Sequence, residues 1–252
     1  MIKARDCPAA GNAARIPGPG PASCPTICDM TEPIPFAQER RLMVEIQLRH
    51  RGIHDQRVLD AMLHVPRHEF VPSALLRAAY DDRPLPLGDA ETISQPYIVA
   101  AMTEAARVEA GDKALEVGTG SGYQAAILAY LGARVYTVER NPALAETARE
   151  RLARLGYEGV EVIVGDGSEG YPVAAPYAVI IVTAAAPVVP PALLEQLAEE
   201  GRLVIPVGDL RHQDLLLYHK QAGQVKTRVL DPCQFVPLVG KAGWPEKEWR
   251  LM

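Results

Sequence analysis

The chain has 252 residues, 48% of them hydrophobic and 23% charged, enough for one substantial core or a core with a small appendage. Its formal net charge of -5 implies no basic surface that would neutralise a run of nucleic-acid phosphates. No apolar run reaches the roughly 18 residues of a membrane span, so neither a nucleic acid nor a membrane is expected as a partner.

Residues 1–35 are rich in Pro, Gly and Ala and carry Lys3 and Arg5 without a continuous apolar stretch. That pattern argues against a secretory signal and predicts a disordered tail on a cytoplasmic enzyme. Cys7, Cys24 and Cys28 lie in this tail and only Cys233 lies in the body. They make no disulfide framework, and Cys24 and Cys28 lack the further ligands that close a zinc site. From residue 36 a single domain is expected, with a helical cover and a substrate motif over 36–110 and a cofactor-binding sheet over 111–252.

The stretch "FAQERRLMVEIQLRHRG" reads as an amphipathic helix with Leu42, Ile46 and Arg49 on one face, stopped by Gly52 at a C-cap position. Its arginines are expected on a solvated face. Asp55 can cap a second helix, "QRVLDAMLHV", which Pro66 ends. His64 and His68 have the spacing of a helical metal pair, but Pro66 lies between them and no Glu follows the first His. "VPRHEFVP" is therefore expected to pack as a turn beneath the cover, and no metal site is expected.

From Lys113 onward, short β-branched runs ("ALEV", "RVYTV", "VEVIV", "AVIIV", "RLVIPV") alternate at first with helical stretches that end at Gly132 and Gly156. Such alternation predicts a parallel sheet with helices on both faces. The last two runs, separated by "QAGQ", predict antiparallel strands at the sheet's edge. Tyr123, Tyr130 and Tyr136 are too scattered for a stacking platform and are expected in the core or in a cofactor wall.

The segment "ALEVGTGSGYQAAILA" carries the chemistry. Bare backbone between a strand and a helix N-terminus admits an adenosine-bearing ligand, but the loop alone does not separate oxidoreductases from methyltransferases. Gly118, Gly120 and Gly122 give G-x-G-x-G, whereas the dinucleotide fingerprint wants its third glycine where Tyr123 stands. Glu116, directly before the loop, would repel a pyrophosphate and would favour the ammonium and sulfonium of S-adenosylmethionine. Glu139, ending the next strand, can accept both ribose hydroxyls, a need of either cofactor. Asp166 in "VGDGS" can accept from the adenine amino group, with Gly167 allowing close approach.

"AMLHVPRHEFVP", "PLPLGDAETISQPYIVAAMTE", the glycine segment, "VTAAAPVVPPALLEQLAEEGRLVIPVG" and "QFVPLVGKAGW" occur in this order over residues 36–245. In them the chain strongly resembles the protein-L-isoaspartate O-methyltransferase family. The resemblance implies a doubly wound, mostly parallel seven-stranded sheet of the S-adenosylmethionine-dependent methyltransferase (Rossmann-like) class, with N-terminal covering helices. It implies methyl transfer from S-adenosylmethionine, leaving S-adenosylhomocysteine, to the α-carboxylate of L-isoaspartyl residues in damaged proteins. The ester then closes to a succinimide, and repair begins. Carried onto this chain, the resemblance makes Ser94 the active-site serine, a positioner of the carboxylate. Thr92, Glu116, Gly118, Thr119, Gly120, Glu139, Asp166 and Gly167 are implied at the cofactor, and Ser94, Gln95 and Val236 at the peptide substrate. A monomer is expected.

The chain departs from the family at three places. Ala90 and Glu91 replace a Gly and a Gln before "TIS", and Glu91 adds negative charge near an incoming carboxylate. Ala178 replaces an acid at the start of a strand, where a local loss without loss of fold is expected. The alternatives are a methyltransferase acting on another carboxylate, a small molecule or a nucleic acid, an inactive cofactor-binding module, and, more distantly, a nicotinamide oxidoreductase.

Overall fold

In the computed structural model, which describes residues 36–88 and 91–246, the first element is a rod of three successive windings. It comprises α1 (Ala37–Leu42), a π-helical stretch Met43–Leu48 and a 3-10 turn Arg49–Arg51, closed by Gly52 at φ 100°. Arg40, Met43, Val44 and Leu48 are its buried side chains, while Leu42 and Ile46 are 52% and 53% exposed. Leu42, Ile46 and Arg49, expected on one face, share the solvent face. The buried side chains follow the i, i+3, i+4, i+8 stripe on the opposite side.

Asp55 starts α2 (Gln56–His64) by accepting the Arg57 N–H at 2.9 Å, and Val65 and Pro66 end it. Arg40 is not solvated: its Nη1 donates to the carbonyls of Leu63 and His64 at the end of α2. "VPRHEFVP" forms a 3-10 turn that buries Arg67 and Phe70. Tyr130, expected inside, is 43% exposed and stacks on the His64 ring, whereas Tyr123 and Tyr136 are buried. The expected tail with Cys7, Cys24 and Cys28, and Ala90 of the substrate motif, lie outside the described residues.

β1 (Leu85–Gly88) and β2 (Glu91–Ile93) pair antiparallel, and α3 (Pro96–Ala106) follows with proline in its first turn. The remaining elements are β3 (Lys113–Val117), α4 (Tyr123–Tyr130), β4 (Arg134–Glu139), α5 (Pro142–Arg154), β5 (Glu161–Val164), β6 (Tyr177–Val182), α6 (Pro191–Glu195), β7 (Leu197–Gly208), β8 (Gln213–Gln221) and β9 (Gln224–Cys233).

Seven of these strands form one sheet in the order β5-β4-β3-β6-β7-β8-β9. Pairing is parallel from β5 through β7 and antiparallel at β7–β8 and β8–β9, so the two last runs of the sequence are the edge strands. The order reverses between β3 and β6, and beyond such a switch point the carboxyl ends of the strands leave a crevice. Ala178 lies where the β6–β7 register shifts, between Tyr177 and Val179, and β6 continues through it.

Successive residues of the central strands serve opposite cores. Ala114, Val135, Val179, Ile181 and Val204 join the cluster packed by the covering helices, while Leu115, Tyr136, Ile180, Val182 and Leu203 join the cluster beneath α6. This period of two, buried on both faces, is why the strands read as nearly continuous apolar runs. Among the described residues no helix is long and apolar enough to cross a membrane.

Ile180 is fully buried in the strand beside the switch point. Ile180→Ala is expected to lower stability by about 2–5 kcal/mol, as transfer and cavity costs add. A urea unfolding midpoint indistinguishable from that of the unsubstituted protein would contradict this placement.

Candidate active site

The crevice beyond β3 and β6 holds a cavity lined by strand tips, the glycine loop and two later segments. Thr92, Ser94, Glu116, Gly118, Thr119, Gly120, Glu139, Gly167 and Val236 all line it. The loop takes its shape from Gly118, at φ 94°, where a Cβ would fall on the Thr183 hydroxyl. That hydroxyl instead donates to the Gly118 carbonyl at 2.6 Å, joining the tips of β3 and β6. Gly167 answers a different need: a Cβ there would collide with Val117.

Glu116 is 0% exposed. The parallel register puts it opposite Thr137, whose hydroxyl donates to its Oε2 at 2.5 Å and lies 2.7 Å from the Thr119 hydroxyl. Its other oxygen, Oε1, is buried without a partner. Burial pushes the Glu116 carboxyl up to about 8, against the opposing Thr137 hydrogen bond and with a further push from Glu139. Gln124, one residue into α4, repeats the pattern: its Nε2 donates to Thr103 at 3.0 Å and its Oε1 is buried unpaired.

Two residues of the cavity lining, each with a buried acceptor that has no protein donor, fit a ligand that brings its own N–H groups and positive charge. Glu139 lines the same cavity and accepts the N–H of Gly120 and of Asn141, each at 3.0 Å. Each carboxylate oxygen has a second acceptor site, so capacity remains for vicinal hydroxyls. A pyrophosphate would meet Glu116 and Glu139 with, among the described residues, only Arg140 as a cation in the lining. The residues therefore fit S-adenosylmethionine and disfavour a dinucleotide.

Asp166 and Gln95 are placed differently from the other expected residues. Asp166 does not line the cavity: its Oδ1 accepts from the Ser168 N–H and hydroxyl, and its Oδ2 accepts the Lys241 N–H at 2.8 Å. Burial opposes ionisation of Asp166, but these donors outweigh it and hold the carboxyl below its ordinary range. Gln95 donates to the Asp82 carbonyl at 3.0 Å and lines a neighbouring groove.

That groove runs along the N-terminal end of α3 and the segment after β9. Thr92, Ser94, Thr183 and Val236 line both groove and cavity and form their common wall. The segment carrying Val236 is strapped to Ala185, which donates to the Val236 carbonyl at 2.8 Å and accepts the Leu238 N–H at 2.7 Å. Glu91 stands on the cavity side of this wall.

Sequence reasoning missed three residues of the site. Thr183 ends an apolar run, and only the strand order shows that this tip adjoins β3. Gln124 is masked by an Ala-rich helix. Arg51, taken for part of a solvated face, lines the groove with its guanidinium 3.6 Å from the Tyr97 ring centre and an ion pair to Asp82.

Glu116 gives a testable sign. A carboxyl protonated in the fold up to about 8 but ordinary, near 4.5, when unfolded loses the ligand-free protein stability as pH rises through that window. Glu116→Gln is expected to flatten this slope, by up to about 1.4 kcal/mol per pH unit. Urea midpoints of both proteins without ligand near pH 5, 7 and 9 check it, and parallel profiles would refute it.

Comparison with known proteins agrees with this geometry. The family model for protein-L-isoaspartate(D-aspartate) O-methyltransferase matches residues 38–243. The protein-L-isoaspartate O-methyltransferase of Methanoculleus marisnigri is 57% identical over 210 residues, 83% of this chain and 96% of that one. A solved protein-L-isoaspartate O-methyltransferase structure superposes with a TM-score of 0.74 at 32% identity, over 81% of this chain and 67% of the other. A Plasmodium falciparum protein of the same description, in complex with S-adenosyl-L-homocysteine, gives a TM-score of 0.69 at 26% identity, over 78% of this chain and 96% of that one. By its match over these residues and by these relatives, the chain belongs to the protein-L-isoaspartate O-methyltransferase family.

Proposed function

We propose that the domain formed by residues 36–252 transfers the methyl group of S-adenosylmethionine to the α-carboxylate of L-isoaspartyl residues in damaged proteins. The observation that carries this is the common wall: the acid-lined cavity and the open groove share Thr92, Ser94, Thr183 and Val236. A carboxylate entering by the groove meets the donor's compartment there and nowhere else along that lining.

S-adenosylmethionine supplies an electrophilic methyl on a positively charged sulfur. Glu116 and Gln124 offer unpaired acceptors to the donor's ammonium, and Glu139 offers acceptor sites to its ribose. Thr119, Gly118, Gly120 and Gly167 form the bare surface against which it lies. Asp166 acts at one remove, by fixing the turn that contains Gly167.

The substrate carboxylate has an ordinary pKa near 4 and is ionised at neutral pH, so no general base and no metal enters the scheme. What the chain supplies is placement. The Ser94 hydroxyl, on the shared wall, donates to one carboxylate oxygen and leaves the other to attack. Thr92 flanks the sulfur, while Gln95 and Val236 line the peptide's path. Water is kept from the wall by Leu238 and Val239, both buried, at the back of the cavity. Methoxide from the ester so formed leaves far more readily than oxide or hydroxide from the unmethylated carboxyl. The following backbone amide displaces methanol to give a succinimide, whose hydrolysis returns part of the material to aspartate.

The proposed enzyme acts as a monomer. A cytoplasmic location fits the intracellular origin of the donor, and neither nucleic acid nor membrane has a part in the scheme. Glu91 faces the donor's compartment rather than the groove, so its charge supports donor binding more than it opposes the peptide.

The test compares an isoaspartyl peptide with its aspartyl counterpart. Only the former should be methylated. Ser94→Ala should lower kcat/KM about 10- to 100-fold, the worth of one hydrogen bond to a charged group, with S-adenosylhomocysteine affinity unchanged. Equal rates for Ser94→Ala and the parent would remove the positioning role. Turnover of the aspartyl peptide would remove the substrate assignment.

A further inference from the structure

A second cavity lies between α3 and the β8–β9 hairpin and is lined by Arg107, Arg202, Lys226 and Arg228. For a chain of net charge -5 this is a local reversal of sign. The acids facing it are few. Glu104 commits its Oε1 to the N–H groups of His54 and Asp55, at 2.7 and 2.6 Å. Glu200, from β7, stands 3.3 Å from His219 Nε2, a buried nitrogen that makes no hydrogen bond. Asp231 lies where β9 leaves the cavity. Burial, and then the neighbouring Arg107, push the Arg202 guanidinium below its usual range. Like charges brought together this way are relieved by an anion.

The cavity adjoins the substrate groove, and Tyr97 and Asp231 line both. Ser94 and Arg51 line the groove on the Ser94 side of that shared rim, and the four cations line the cavity on the other. Along β9 the cations recede from the shared rim at Asp231 in steps an extended peptide can follow. Strand and extended peptide both advance about 3.3 Å per residue. A peptide passing Asp231 thus draws level with Arg228 about three residues later and with Lys226 about five residues later.

We propose that this cavity is an exosite for acidic side chains on one flank of the isoaspartyl residue, so that the enzyme selects damaged positions lying in acidic sequence. The proposal rests on the methyltransferase reading of the neighbouring wall, and the experiment separates the two. Isoaspartyl peptides of one length carry three Glu, three Gln or three Lys residues, placed several positions before or after the isoaspartyl residue. Methylation is measured at low and high salt with the full chain and with the K226E/R228E variant.

The expected result is a KM about three- to tenfold lower for Glu than for Gln on one flank, the sum of a few exposed ion pairs, with little change in kcat. High salt should erase the advantage. The K226E/R228E variant should lose it and turn it toward Lys. Equal KM for Glu and Gln peptides, an equal advantage on both flanks, or an advantage that survives in K226E/R228E would each overturn the exosite while leaving methylation of the Gln peptide in place. Failure to methylate any of the peptides would overturn the underlying reading and the exosite with it.

Discussion

Glu116 is the constraint around which the site is arranged. A carboxylate with one oxygen unpaired, at no solvent exposure, is among the least comfortable groups a fold can hold. It sits there because β3 is an inner strand beside the switch point and its tip opens into the crevice. The Thr119, Thr137 and Glu116 side chains form a short hydroxyl-to-carboxyl relay that partly compensates. The remainder of the cost is met when a cation arrives. A site left incomplete in this way is matched to a charged donor and poorly matched to anything carrying phosphate.

The other side of the reaction needs much less. In the proposed scheme the peptide brings a nucleophile that is already ionised, so the fold has to contribute only a wall, a hydroxyl and the exclusion of water. The wall is assembled from stretches far apart in sequence: β2 and the residues after it, the tip of β6, and the segment following β9. Thr183 ties two strand tips together, and Ala185 holds the segment with Val236 by two backbone hydrogen bonds. Packing of two separate cores on the faces of one sheet makes these attachments rigid.

Much of this was legible in the sequence because it depends on local rules. Strand tips ending in Glu116, Glu139 and Asp166, helices ended at Gly132 and Gly156, and the Asp55 cap all follow from spacing and backbone chemistry. The family resemblance added the wall residues Thr92, Ser94 and Val236, which no periodicity reveals. What escaped depends on contacts between distant segments. Thr183 gains meaning only when β6 is known to lie beside β3. Arg51 belongs to the groove only because Tyr97 and Asp82 hold it there. The buried face of the first helix, Arg40, Met43, Val44 and Leu48, went unread because it includes an arginine, whose donors are met only by the distant carbonyls of Leu63 and His64. Net charge, summed over the chain, also hid the basic cavity, since the acids are elsewhere.

The Asp166 carboxylate serves two stretches of backbone, the turn after β5 and the Lys241 amide seventy-five residues further on. Lys241 closes the same corner with its Nζ on Glu169, 3.0 Å from each oxygen, and a side chain at Gly240 would intrude on Asp166 and Ser168. The far corner of the last described loop is therefore latched by an anion, while its near end is held by buried Leu238 and Val239 and by bonds to Ala185. Strong acid, by neutralising that anion, would unhook the far corner ahead of the sheet and leave the near end attached.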